Sequence, residues 1–152
     1  MPEYLQATVD KFSFRVAQDR LYTPDGVWIL SPQSETPHRV RIGVTDFFQQ
    51  HNGDVAFANV KPQSTSLKVG DEFAELETMK VNVGLPSPVA GTIVEVNKAL
   101  ELTPEVINQD PYEKGWLAVI AVTNWDADRA KLLDAAAYFA VMQSQAEEEL
   151  KS

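Results

Sequence analysis

The chain has 152 residues, 44% hydrophobic and 23% charged, the balance of a soluble globular protein large enough to bury its own core. A formal net charge of −9 leaves no basic footprint for nucleic acid or an anionic membrane surface. The absence of cysteine excludes disulfide frameworks, thiolate metal sites and a cysteine nucleophile.

The amino terminus, "MPEYLQATVDKFSFRV", carries no long apolar run and no small-residue cleavage site, and no stretch reaches the length of a membrane span. The expectation is a cytoplasmic, monomeric protein folded as one domain over residues 1–152. Tyr4, Leu5, Val9, Phe12 and Val16 recur at spacings of three to four, with Phe14 discordant, which predicts a short amphipathic helix within an amino-terminal segment 1–20. "TPDG" at 23–26 is a turn, because proline fixes φ and glycine tolerates positive φ. "VWILS" follows as a strand and 32–37 as a loop. "HRVRIGVTDF" at 38–47 alternates through Val40, Ile42 and Val44 and reads as a strand. Asn52-Gly53 is a turn signal before another short strand.

The stretch "LKVGDEFAELETMKVNVGLPSPVAGTIVEV" places a single lysine, Lys80, between two runs of strand-like alternation. The inner face of the first run is undecided, because Phe73 alternates with Glu75 while Ala74 and Leu76 occupy the other face. After Lys80, Val81 and Val83 alternate, "LPSPVAG" makes a kinked connection, and "TIVEVNKAL" is a strand with Ile93 and either Val94 or Val96 inward. "TPEVINQDPYEKG" contains a helical turn, and "WLAVIAV" at 116–122 is an almost continuous apolar strand. From Asp126 the chain is rich in helix formers, which predicts a helix over 126–150 with Asp126 as N-cap and Leu133, Ala136, Ala137, Ala140 and Val141 as its packing stripe. Short strands punctuated by glycine and proline imply a small β barrel or sandwich over 21–122, so the fold class is mainly β with flanking helices.

Nucleophile and phosphate-loop motifs are absent. His38 and His51 have no metal-binding company in the sequence and read as surface residues. Lys80 as a Schiff-base nucleophile needs burial or a cationic neighbour to depress its pKa, and Glu77 beside it supplies neither. The remaining role is attachment: a lysine at the tip of a tight hairpin can carry a cofactor whose chemistry the side chains lack.

"GDEFAELETMKVNVGLPSPVAGTIVEVNKAL" resembles the lipoyl-lysine hairpin of glycine cleavage system H proteins. The resemblance runs over about residues 20–140 and includes Asn108, Pro111, Tyr112, Gly115 and Trp116, "IGVTDF" and "YTPDGVW". It implies a barrel-sandwich hybrid fold with a carboxy-terminal helix, no enzyme activity of its own, and lipoic acid covalently bound to Lys80 by a lipoate ligase or lipoyl synthase. A biotinyl carrier is the nearest competitor, because Met79 precedes the lysine, but Val81 stands where that motif has a second methionine.

The same resemblance assigns cargo-binding polar groups to positions that here are Gly26, Val27, Phe47 and Gly84. With Val27, Phe47 and Gly84 as possible arm-lining positions, the pocket expected for the arm is apolar. That suits a neutral or soft cargo and is similar to the lipoate-binding H-like proteins of bacterial sulfur oxidation, with a heterodisulfide-reductase-like complex as partner. The alternative is an H protein carrying an aminomethyl group among the P, T and L proteins of glycine cleavage. A third reading, a structural or regulatory protein with an unmodified lysine, remains.

Overall fold

In this computed structural model residues 3–31 and 39–151 are described, with the side chains of 150 and 151 left aside. The predicted loop at 32–37 and His38 lie outside the described residues.

The amino-terminal segment is a hairpin rather than the expected helix. Strand β1 (Tyr4–Val9) pairs antiparallel with β2 (Phe12–Ala17), in register from Tyr4↔Ala17 to Val9↔Phe12. Ala7, Val9, Phe14 and Val16 are buried while Gln6, Thr8 and Arg15 are exposed, so the period is two. Phe14, discordant for a helix, fits the strand, and Asp10 turns the chain with φ of 57°.

Among the described residues, nine strands form the body. One sheet has the order β3 (Leu21–Tyr22), β4 (Val27–Leu30), β5 (Arg39–Val44), β11 (Ala118–Val122), β10 (Gly91–Val96) and β7 (Ser66–Leu67). The other is β6 (Val55–Val60), β8 (Glu72–Thr78) and β9 (Asn82–Pro86). Every pairing is antiparallel. The two sheets share one core, in which Ile29, Ile42 and Ile120 from the larger meet Phe73, Leu76 and Leu85 from the smaller. Each such fully buried side chain contributes about 2 kcal/mol to the folded state. The register shift between Glu72 and Ala74 places both Phe73 and Ala74 inside, which resolves the undecided face of β8. Another shift, between Ile93 and Glu95, leaves Ile93 buried and packs Val96 against the core.

The predicted strand at 38–47 ends at Val44. Thr45 caps helix α1 (Asp46–Asn52), its Oγ1 accepting from Phe48 N at 3.1 Å, and the acidic Asp46 occupies the first turn. The Asn-Gly signal is therefore a helix stop: Gly53 closes α1 with φ of 84°. Gly43 has a different reason, since a Cβ there would lie 2.5 Å from the indole of Trp28.

A second core lies between the β1–β2 hairpin and the carboxy-terminal helix, around Tyr22, Trp28 and Tyr112. The predicted helix from Asp126 is two helices, α3 (Trp125–Arg129) and α4 (Ala135–Lys151). Asp126 sits inside α3, and the carboxylate that serves the start of α4 is Asp134, accepting from Ala137 N at 2.8 Å. The buried stripe of α4 is Ala135, Tyr138, Met142 and Ala146, whereas Ala136, Ala137 and Ala140 are exposed. The larger side chains win the inner face: Tyr138 stacks on Tyr22 at 4.6 Å between ring centroids and hydrogen-bonds Thr45 Oγ1 at 3.0 Å.

Candidate functional site: a lysine at a hairpin tip beside a groove

Lys80 stands in the three-residue connection between β8 and β9, and Thr78 builds that turn. The Thr78 hydroxyl accepts from Lys80 N at 3.2 Å and Val81 N at 3.1 Å and donates to Val81 O at 2.8 Å. Met79 N donates to Asp54 O at 3.0 Å, which ties the tip to the segment leaving α1. That segment is held in turn by Asn108, on α2 (Val106–Gln109). Its Oδ1 accepts from Val55 N at 2.9 Å, and its Nδ2 donates to Gly53 O and Gln49 Oε1, both at 3.1 Å. One asparagine thus fixes the platform beneath the lysine.

The side chain of Lys80 is exposed, and Met79 and Val81 on either side are 78% and 47% exposed. Its aliphatic stem passes over Gly53, where even an added Cβ would keep about ordinary van der Waals distance, 3.8 Å from Cγ. Nζ donates to His51 O at 3.1 Å, a carbonyl in the last turn of α1, where a cation is favoured. The amine is therefore reachable by a modifying enzyme, and an amide N–H on the same nitrogen could still donate to that carbonyl.

Lys80 lines one hollow, and a second, larger one adjoins it. The nearer, of about 140 Å³, is lined by Lys80, Phe12, Phe14, Phe47, Gln50, His51 and Glu149. The larger, of about 500 Å³, lies between α1 and the end of α4 and shares Phe47, His51 and Glu149 with the first. Only the larger falls in the range of about 300–1,000 Å³ usual for small-molecule sites. The shared wall is ordered: Phe47 stacks on His51 at 5.8 Å and meets Phe14 edge-on at 5.2 Å, and His51 Nδ1 pairs with a carboxylate oxygen of Glu149.

Of the positions expected to line an arm, Phe47 lies on both hollows beside Lys80. Val27 does not join it: its side chain is fully buried in the main core, opposite Val44 on β5. Gly84 lines neither hollow; it faces Glu72, whose Oε1 would lie 2.0 Å from an added Cβ, and Val83 lines the larger groove instead. Nor is the groove apolar as expected, because Asp25, Glu148 and Glu149 line it with no lysine or arginine among them. No motif or spacing in the sequence marks these acids as site residues. Glu148 and Glu149 read as the solvated end of a helix, and only the packing of α4 against β1, β2 and β3 brings that end over α1.

The profile of the glycine cleavage H-protein family matches residues 20–145. The chain belongs to the glycine cleavage H-protein family. It is 43% identical over 123 residues to the glycine cleavage system H protein of Chlorobium limicola, covering 81% of this chain and 94% of that one. The H protein of Thermus thermophilus is 39% identical over 131 residues, covering 86% and 98%. The crystal structure of the H protein from Mycobacterium marinum superposes with a TM-score of 0.71 at 34% identity, over 82% of this chain and 97% of that one. The β1–β2 hairpin and the last turn of α4, with Glu148 and Glu149, lie outside the residues that the H-protein family profile matches.

Inside the match, the residues that carried the resemblance hold the architecture. Pro111 O accepts from Trp28 Nε1 at 3.0 Å, and Tyr112 OH donates to Arg15 O at 2.7 Å. Buried Arg20 lies over the rings of Trp28 and Tyr112 and donates to Tyr112 O and to Glu113 Oε1. Gly115 is forced by closeness, since a Cβ would sit 2.9 Å from Asp110 O and from Ile107 Cα. Trp116 carries Arg41 over its ring at 4.7 Å.

Proposed function

We propose that this chain is a lipoyl-lysine carrier of glycine cleavage, with lipoate joined as an amide to Lys80 Nζ and an aminomethyl group as cargo. The observation that carries the reading is Lys80 itself: an exposed amine on a hydrogen-bonded turn, framed by exposed Met79 and Val81, next to a groove lined by no lysine or arginine. When bound, the lipoyl group supplies the pair of sulfurs that accept, hold and release the cargo, chemistry that a chain without cysteine lacks. The chain's own part is to present the lysine, orient the arm and exclude water from its end.

Partners in this reading are a lipoate ligase or lipoyl synthase for attachment and the P, T and L proteins for loading, transfer and reoxidation. The names of the relatives support it, and so does the charge of the groove. An aminomethyl group on sulfur is cationic near neutral pH, and a cation leaving water needs an acidic or hydrogen-bonding partner. Asp25, Glu148 and Glu149 offer carboxylates where the positions of Val27, Phe47 and Gly84 do not. The sulfur-oxidation reading rests on a resemblance to lipoate-binding H-like proteins, with those three apolar positions as its support in this chain. One of them is core and one lies off the groove, and no relative named above supports it.

The test is reconstitution. Fully lipoylated protein mixed with P, T and L proteins is expected to support glycine-dependent turnover, and Lys80→Arg to abolish it, because a guanidinium remains protonated and is not acylated. A mass-verified lipoylated protein that supports no turnover, and that carries extra sulfur when isolated from its host, would return the cargo to sulfur.

A further inference from the structure

The groove beside Lys80 has an unusual second owner. Most of its lining, including Asp25, Phe47, His51, Ser144 and Gln145, comes from the part of the chain that the family profile matches, but Glu148 and Glu149 do not. Glu148 and Glu149 stand on the last turns of α4, and Phe12 and Phe14, which close the smaller hollow at the lysine, belong to the amino-terminal hairpin. These two ends support each other: α4 packs on β1 and β2 through Ala7, Val9, Met142 and Ala146, all buried. The end of α4 is thereby fixed over α1 and held there by the His51–Glu149 pair. Glu149 occupies the wall common to both hollows, so anything that reaches from Lys80 into the larger groove passes its carboxylate.

We propose that Glu149, positioned by His51 at the junction of the two hollows, is a specificity-determining residue that admits a positively charged arm end to the groove and disfavours a negatively charged one. The inference rests on the lipoyl-lysine reading of Lys80 and adds to it a charge filter built from a part of the chain that the family match does not include. The physical basis is one-sided charge in a partly enclosed space. Asp25, Glu148 and Glu149 are acids, no lysine or arginine lines the groove, and its imidazole, His51, is paired with Glu149. Glu149 has 43% of its side chain exposed and His51 48%, so the pair can open without unfolding anything beneath it. An aminomethyl group meets a carboxylate on entry, whereas a persulfide or thiosulfonate, both anionic, meets repulsion.

The experiment uses full-length protein shown by mass to be lipoylated on Lys80 and then reduced to the dithiol. Its thiols are modified with methanethiosulfonate reagents of matched size, one bearing a quaternary ammonium and one a sulfonate, and the ratio of the two rates is measured. The ratio for Glu149→Gln is expected to fall about three- to fivefold toward the anionic reagent, the effect of one unit charge about 10 Å away acting in opposite senses on the two reagents in a water-like medium. Glu147→Gln, an exposed position on the same helix that does not line the groove, changes net charge equally and is expected to leave the ratio at the wild-type value. Equal ratios in wild type and Glu149→Gln, or equal falls in Glu147→Gln and Glu149→Gln, would overturn the proposal while leaving the lysine arm intact. Failure to find lipoate on Lys80 would instead overturn the carrier reading, and the filter with it.

Discussion

Thr78 and Asn108 show how much of the presentation of Lys80 depends on single side chains. Replacing Thr78 by alanine removes one hydroxyl that serves two backbone N–H groups and one carbonyl of the turn. The expected cost is about 1 kcal/mol in urea denaturation, with slower modification by lipoate ligase and near-normal behaviour in Thr78→Ser. Asn108 is more costly to lose. Asn108→Ala leaves Val55 N and Gly53 O without their partner under the tip, and a loss of about 2 kcal/mol is expected by the same measurement. The lysine was legible in the sequence because a lone Lys between two alternating runs needs no tertiary information. The role of Asn108 was not, since an asparagine that bridges α2 to the segment after α1 spans more than fifty residues and leaves no local trace. Val27 illustrates the reverse error. A position named as arm-lining is a fully buried core residue, because neighbours along a strand face opposite sides and the resemblance carries no facing.

At the scale of elements, the strands around Lys80 followed from alternation and punctuation, and the two ends of the chain did not. The β1–β2 segment has residues at both helical and strand spacing; what decides is the partner strand and the cover of α4, neither visible locally. In α4 an alanine-rich stripe looked like a packing face, yet Tyr138 and Met142 offer more apolar area and take the inside. The start of α4 gives a direct check. Asp134→Ala is expected to destabilise the protein by about 1 kcal/mol, and Asp126→Ala by much less, measured by thermal unfolding. An equal effect at both positions would mean that the break between α3 and α4 is not where the helix boundary lies.

For the molecule as a whole, the second core concentrates buried phenols. Burial pushes the hydroxyl of Tyr138 up to about 12, against the smaller opposing effect of its hydrogen bond with Thr45. Burial also raises Tyr22 and Tyr112 well above the ordinary value. In the unfolded chain these groups ionise near pH 10, so above that pH the unfolded state releases protons that the folded state retains. The stability they contribute is complete below pH 10 and declines as pH rises through the folded values. For Tyr138 the slope is about 1.4 kcal/mol per pH unit between pH 10 and 12. Urea midpoints recorded from pH 8 to 12 should fall on that limb, and Tyr138→Phe should flatten it although it starts lower by about 1 kcal/mol for the lost hydrogen bond. Equal slopes for the two proteins would show that Tyr138 ionises freely in the fold.

On the reading proposed above, the β8–β9 turn and its supports present one amine for lipoylation. Peptide-level mass spectrometry of the protein purified from its own host tests it most directly. A lipoyl mass on Lys80 is expected, with an aminomethyl adduct trapped when glycine is supplied. An unmodified Lys80, or lipoate found on another lysine, would contradict it.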